Sequence, residues 1–213
     1  GARRVLAATL QGRLAPAAGR AQVLGRSLPG DAPGLVSRVA RVDLADLDDR
    51  RRELGLGQLL GRHASFGTAM LRMEAPAAEV ERLLDRLSAA LGPDAPRLGA
   101  GTRLDRLHPV DRAIALVAIA LAERPEALVL DLGALAAAPD APRIAARILA
   151  AARELADEPV AIVLGAPDGF DADRLRELVD GPLEVVDLGA LRTGDARDAD
   201  AAMNPIDQRR QHI

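Results

Sequence analysis

The chain has 213 residues, with 28 Lys+Arg against 31 Asp+Glu and a net charge of −3. All 28 basic side chains are arginine, alanine fills 44 positions, and cysteine, tryptophan and tyrosine are absent. Disulfides and thiolate metal sites are therefore excluded. No apolar run reaches the roughly 18 residues of a membrane-spanning helix, and no signal peptide is visible.

That length fits one generous domain or two small ones. A core of Leu, Val, Ile and Ala suits helices packed on a parallel sheet. The chain starts at Gly1 without methionine, as a fragment or processed product would. Residues 1–112 carry a net +5 and residues 113–213 a net −8. The arginines of the basic half are scattered, with no aromatics to stack bases, so no nucleic-acid partner is expected.

In chain order, residues 3–14 have apolar positions at helical spacing and precede Pro16. Ala21–Leu24 reads as a short strand, Pro29 to Pro33 as a turn-rich loop, and Val39–Leu44 as a buried strand. Asp48 and Asp49 are expected to cap a helix over 50–62. Their arginine neighbours Arg50, Arg51 and Arg52 make this a charge-balanced surface rather than a cation site. Glu74–Leu91 is an amphipathic helix stopped by Gly92-Pro93. Beyond it helices (110–123, 140–156, 171–179) alternate with strands (127–131, 159–164, 183–188), which implies a parallel sheet. The tail from Thr193 to Ile213 is polar, aperiodic and expected to be disordered.

From Ala113 to Asp131 an apolar helix leads through Pro125 into a buried strand ending in aspartate. This resembles the ABC-type ATPases, and the resemblance extends over roughly residues 1–190. It implies a three-layer α/β fold of P-loop NTPase type: a mostly parallel sheet with a helical subdomain inserted. Residues 1–44 and 107–192 would form the core, its first strands missing, with 45–106 as the subdomain and 193–213 as the tail.

The family's motifs are altered wherever they fall. Gly1-Ala2-Arg3-Arg4-Val5-Leu6 is similar to the end of the phosphate loop and the start of its helix. Ala2 stands for the lysine that reaches the β/γ-phosphates, and Arg3 for the hydroxyl that holds Mg²⁺. Leu44 replaces the Q-loop glutamine, and Leu107–Asp111 replaces the Leu-Ser-Gly-Gly-Gln signature. Leu132 follows Asp131 where a glutamate polarises the attacking water. Gly165 or Ala166 stands in place of the switch histidine.

The resemblance therefore implies a degenerate ATP-binding subunit, non-hydrolysing, that serves as structural or regulatory partner of a membrane permease or a second ATPase subunit. Such a subunit is cytoplasmic, peripheral at the inner face of the membrane and not inserted in it. The alternative is an active ABC transporter ATPase whose phosphate loop lies upstream of Gly1. A third reading is an α/β binding module that shares only the architecture. No catalytic residue is assigned. Gly1, Arg3 and Arg4 are the candidates for a weakly held ATP, since a helix N-terminus and arginine both favour phosphate. Asp131 has two readings: a second-shell ligand of Mg²⁺, or a carboxylate capping the following turn. Phe66, Met70 and Met73 are candidates for the permease contact, with Phe66 and Met70 expected to be partly exposed. His63 and His108 read as structural.

Overall fold

Three five-residue strands pair in parallel in the order β3-β4-β5: β3 (Val39–Asp43), β4 (Ala127–Asp131) and β5 (Ala161–Gly165). Their register sets Asp43 beside Asp131, and Asp131 beside Gly165, at the carboxyl end. The computed structural model describes residues 2–16, 19, 21–44, 54–66 and 75–184. The chain divides into two units, Gly1–Asp180 and Gly181–Ile213, and the second is described at residues 181–184 alone.

Alternation along the strands fills both faces of the sheet. On one face Val39, Ala127 and Val129 join Ala7 of α1 (Ala2–Leu10) in a buried cluster. Leu28 belongs to the same cluster, from an antiparallel hairpin of β1 (Ala21–Val23) and β2 (Arg26–Leu28), and so does Leu35. Residues Ala40, Val42, Leu128 and Leu130 alternate with these and are buried as well. Helix α4 (Pro109–Leu121) packs beside β3 and is buried without a break from Ala113 to Leu121. A helix that is apolar all round belongs in an interior.

The helices α2 (Leu56–Phe66) and α3 (Ala77–Leu91) pack on each other and on α4, and α3 also packs on α5 (Ala141–Leu155). Two arginines tie α3 to α5 reciprocally. Arg86 of α3 donates through Nη2 to the Glu154 and Leu155 carbonyls at the end of α5, at 3.0 and 2.8 Å. Arg147 of α5 donates to the Leu91 carbonyl at the end of α3, at 3.1 Å. Each guanidinium satisfies carbonyls left open by a helix terminus and meets the negative end of its dipole. The last helix, α6 (Ala172–Leu178), is capped by Asp171, which accepts from Arg174 N at 2.8 Å.

Several expectations are corrected. The helix expected over 3–14 ends at Leu10, because Gly12 takes a left-handed conformation and closes the last turn. The helix expected over 50–62 begins at Leu56, where Leu56 N and Gly57 N donate to the carbonyls of Thr102 and Ala100. The expected caps Asp48 and Asp49 lie outside the described residues. Helix α3 starts at Ala77, after Pro76. In the strand expected over 183–188, Leu183 and Glu184 have no regular structure; the other four positions, and the tail, lie outside the described residues.

At the amino ends of β3 and β4, Arg38 holds Glu126 through paired guanidinium–carboxylate bonds. The hydrogen bonds from Arg38 hold the Glu126 carboxyl below its ordinary range, with the charges of Arg38 and Arg26 adding to the effect. A carboxyl depressed in the folded state stabilises above its unfolded pKa, and that stabilisation fades as pH falls through the folded value. Wild type should therefore be slightly more stable than Glu126→Gln near pH 7. The melting-temperature gap should close as pH falls below the ordinary glutamate range, about pH 4.3. A gap that stays constant through that fall would rule out the ionic contribution.

Candidate functional site

The carboxyl end of the sheet gathers the segments singled out in the sequence. Asp43, Asp131 and Gly165 end the three strands there, and Arg3 and Arg4 come from the first turn of α1. Helix α1 is seated by its far end. Its closing turn places Gln11, which is buried and donates through Nε2 to the Val39 carbonyl at 3.2 Å. That bond pins α1 to the first residue of β3 and sets the reach of its arginines.

Arg3 lies across the ends of β4 and β5. Its Nε is 3.4 Å from Asp131 Oδ1, and its Nη1 donates to the Ala166 carbonyl at 3.2 Å. Asp131 also accepts from Gly133 N at 2.9 Å, so the capping role expected of it is present. Beside it, Asp43 meets Arg4 at 3.3 Å and Arg41 at 3.2 Å. Three guanidinium groups and two carboxylates thus form one cluster with one positive charge in excess. Among the described residues no group of three or more His, Cys, Asp or Glu side chains is placed to hold a metal ion.

Other expected positions fall as follows. Leu44 continues the ladder, its N–H donating to the Asp131 carbonyl at 3.4 Å, and Leu132 is buried in the turn after β4. His108 precedes Pro109 at the start of α4, while Asp111 pairs with Arg147 at 3.2 Å. Gly1, Met70 and Met73 lie outside the described residues, as does the side chain of Phe66, the last residue of α2.

Two pairings escaped the sequence. His63 Nδ1 sits 2.6 Å from Glu123 Oε1, joining α2 to the segment after α4. Arg41 pairs with Asp43 two residues along its own strand, on the same face. The second is visible to an i, i+2 reading of a strand; the first has no local signal. A groove of about 400 Å³ lies between residues 135–143 and 167–174. It is lined by both Asp140 and Arg143, and its half-buried aromatic is Phe170.

No protein-family model and no curated protein matches the chain. Solved structures do. An ATP-binding cassette of an ABC transporter in its ADP conformation superimposes with a TM-score of 0.57 at 16% identity, over 83% of this chain and 69% of that one. CbiO1 from Clostridium perfringens, part of the ABC transporter complex cbiONQ, gives 0.56 at 16% identity, over 84% and 66%. A putative ABC transporter ATP-binding protein from Pyrococcus furiosus gives 0.53 at 17%, over 78% and 73%. The chain shares the α/β fold of these ATP-binding cassettes. The chain spans about two thirds of the length of CbiO1. Among the described residues no helix is long and apolar enough to cross a membrane.

Proposed function

We propose that the chain is a degenerate ABC-type ATP-binding subunit that does not hydrolyse ATP and acts as a structural or regulatory partner of a membrane permease or a second ATPase subunit. The observation that carries this reading is the contact of Arg3 with Asp131 and the Ala166 carbonyl. A phosphoryl-transfer site of this type works through lysine, a held Mg²⁺ and a group that orients water. Here lysine is absent from the whole chain. The carboxylate at the strand end faces an arginine and a backbone N–H, and the next residue is a buried leucine. These residues do not fit a Mg²⁺–nucleotide.

Loss of a general base lowers a rate by about 10²–10⁴, and loss of a main electrostatic donor by about 10²–10³. From a typical turnover of about 10 s⁻¹, the smaller factors leave about 10⁻³ s⁻¹. Phosphate release by the purified protein is expected at or below that rate, and a turnover near one per second would overturn the reading. Arg4 and the N-terminal turn of α1 leave a weak attraction for phosphate. Calorimetry should find ATP bound no more tightly than about tens of micromolar.

The partner contact is assigned to Phe66, Met70 and Met73 on residue chemistry, since methionine and aromatics adapt to irregular pockets. The span 45–106 would form the docking subdomain, with α2 and α3 as its described helices. Docking places the chain at the inner face of the membrane. It needs shape and apolar contact, and so it outlasts the loss of hydrolysis.

A further inference from the structure

Asp43 and Asp131 are register partners at the ends of neighbouring parallel strands, so their carboxylates leave the same face of the sheet. Their side chains are only 10% and 8% exposed. Two carboxylates held side by side with little solvent repel each other, and the fold must supply positive charge beside them.

Arginine supplies it here. Arg41 pairs with Asp43 at 3.2 Å, whereas Arg4 is 60% exposed at its side chain and contributes little through a screened contact. Arg3 is less exposed, at 35% of its side chain, and makes two contacts. Its Nε lies 3.4 Å from Asp131 Oδ1 as an ion pair without a hydrogen bond, and its Nη1 donates to the Ala166 carbonyl at 3.2 Å. Two glycines lie along its path. A Cβ at Gly133 would come within 3.0 Å of Arg3 Nη2, and one at Gly165 within 3.6 Å of Arg3 Cδ. Gly133, in the turn after β4, thus leaves room for the tip of this side chain, while the distance at Gly165, the last residue of β5, is ordinary van der Waals contact.

We propose that Arg3 is a resident counter-ion that occupies the place of a divalent cation at Asp131 and keeps such cations, and metal-bound phosphates, out of the site. The inference deepens the proposed function at the same site and rests on that reading of the strand ends. It makes the inactive state a built contact of this chain, not merely the absence of motif residues. Its corollary is that removing Arg3 takes away the ion-pair partner of Asp131 and opens that carboxylate to a cation.

Thermal unfolding of the full chain, in MgCl₂ against NaCl of equal ionic strength, tests this on wild type, Arg3→Gln, Arg3→Ala and the double variant Arg3→Gln/Asp131→Asn. Wild type is expected to melt at the same temperature in both salts. Arg3→Gln and Arg3→Ala should melt up to about 4 °C lower in NaCl and recover about half of that loss or more with millimolar Mg²⁺. The double variant should show no recovery. The proposal is overturned if wild type responds to Mg²⁺ as strongly as the variants, if neither single variant responds, or if the response survives Asp131→Asn. A variant that folds only with Mg²⁺ supports it, and failure of both single variants to fold in either salt overturns it. Phosphate release by wild type is read separately. Hydrolysis there would remove the proposed function, whereas a silent Arg3→Gln in a non-hydrolysing protein removes only the counter-ion role.

Discussion

Replacing Gly12 with alanine is expected to lower stability by about 3 kcal/mol or more, one of the largest effects of any single methyl group in this protein. Gly12 has φ +69°, where a residue with a side chain costs roughly 1–2 kcal/mol. It is the left-handed residue of a complete helix-closing motif. Gly12 N donates to the Thr9 carbonyl and Arg13 N to the Ala8 carbonyl, both at 2.9 Å, the paired bonds that close a helix at a glycine. A Cβ there would lie 2.3 Å from the carbonyl oxygen of Ala32, a backbone atom that cannot swing aside. Moving it disturbs the turn that carries Leu35 into the core and the neighbouring Gln11 bond to Val39. For a chain of this size the expected fall is about 6–12 °C in melting temperature. Gly25 is the control: its φ is +74° and nothing lies within 4 Å of the added Cβ, so Gly25→Ala should cost only about 1–2 kcal/mol. Equal losses at both positions would mean that the clash with Ala32 contributes nothing.

Truncating Leu128 to alanine should cost about 3–5 kcal/mol in equilibrium denaturant unfolding. Leu128 has no exposed surface and lies on β4, the central strand, whose five residues are all buried between β3 and β5. A buried leucine cut to alanine loses its transfer free energy and leaves a cavity that a close-packed interior fills only in part. Against a typical total of about 5–15 kcal/mol, that is a large share of stability. Val163 lies on the same sheet, on β5, but is 40% exposed, so Val163→Ala should cost less than about 1 kcal/mol. A Leu128→Ala loss below about 1 kcal/mol would be incompatible with β4 as the centre of the core.

The contrast between these two strands was partly readable beforehand. Ala127–Asp131 was identified by its continuous apolar character and its aspartate, and the structure has the strand at those residues. The strand at Val39, the helices α3 to α6 and the apolar stripe of α3 follow from periodicity within a few residues. The hairpin strand Arg26–Leu28 did not: it is three residues long, mostly polar, and has only Leu28 buried. Its pairing with β1 depends on a tight turn at Leu24 and Gly25, not on any hydrophobic pattern.

Sequence alone determined the fold class, the alternation of strands and helices, the position of Asp131 at a strand end and the absence of any lysine to serve it. These are properties of residue type and of spacing within one element, where periods of 2 and 3.6 leave a local trace. Only the tertiary structure decided what Arg3 does. Its partners Asp131 and Ala166 lie far along the chain, at the carboxyl ends of β4 and β5 that the strand register brings together. The same holds for His63 with Glu123 and for the two arginines that close the ends of α3 and α5. Long side chains of one charge type are interchangeable on a local reading. Their contacts are chosen by where packing places the backbone, which is why the framework was legible in the sequence and the wiring of the site was not.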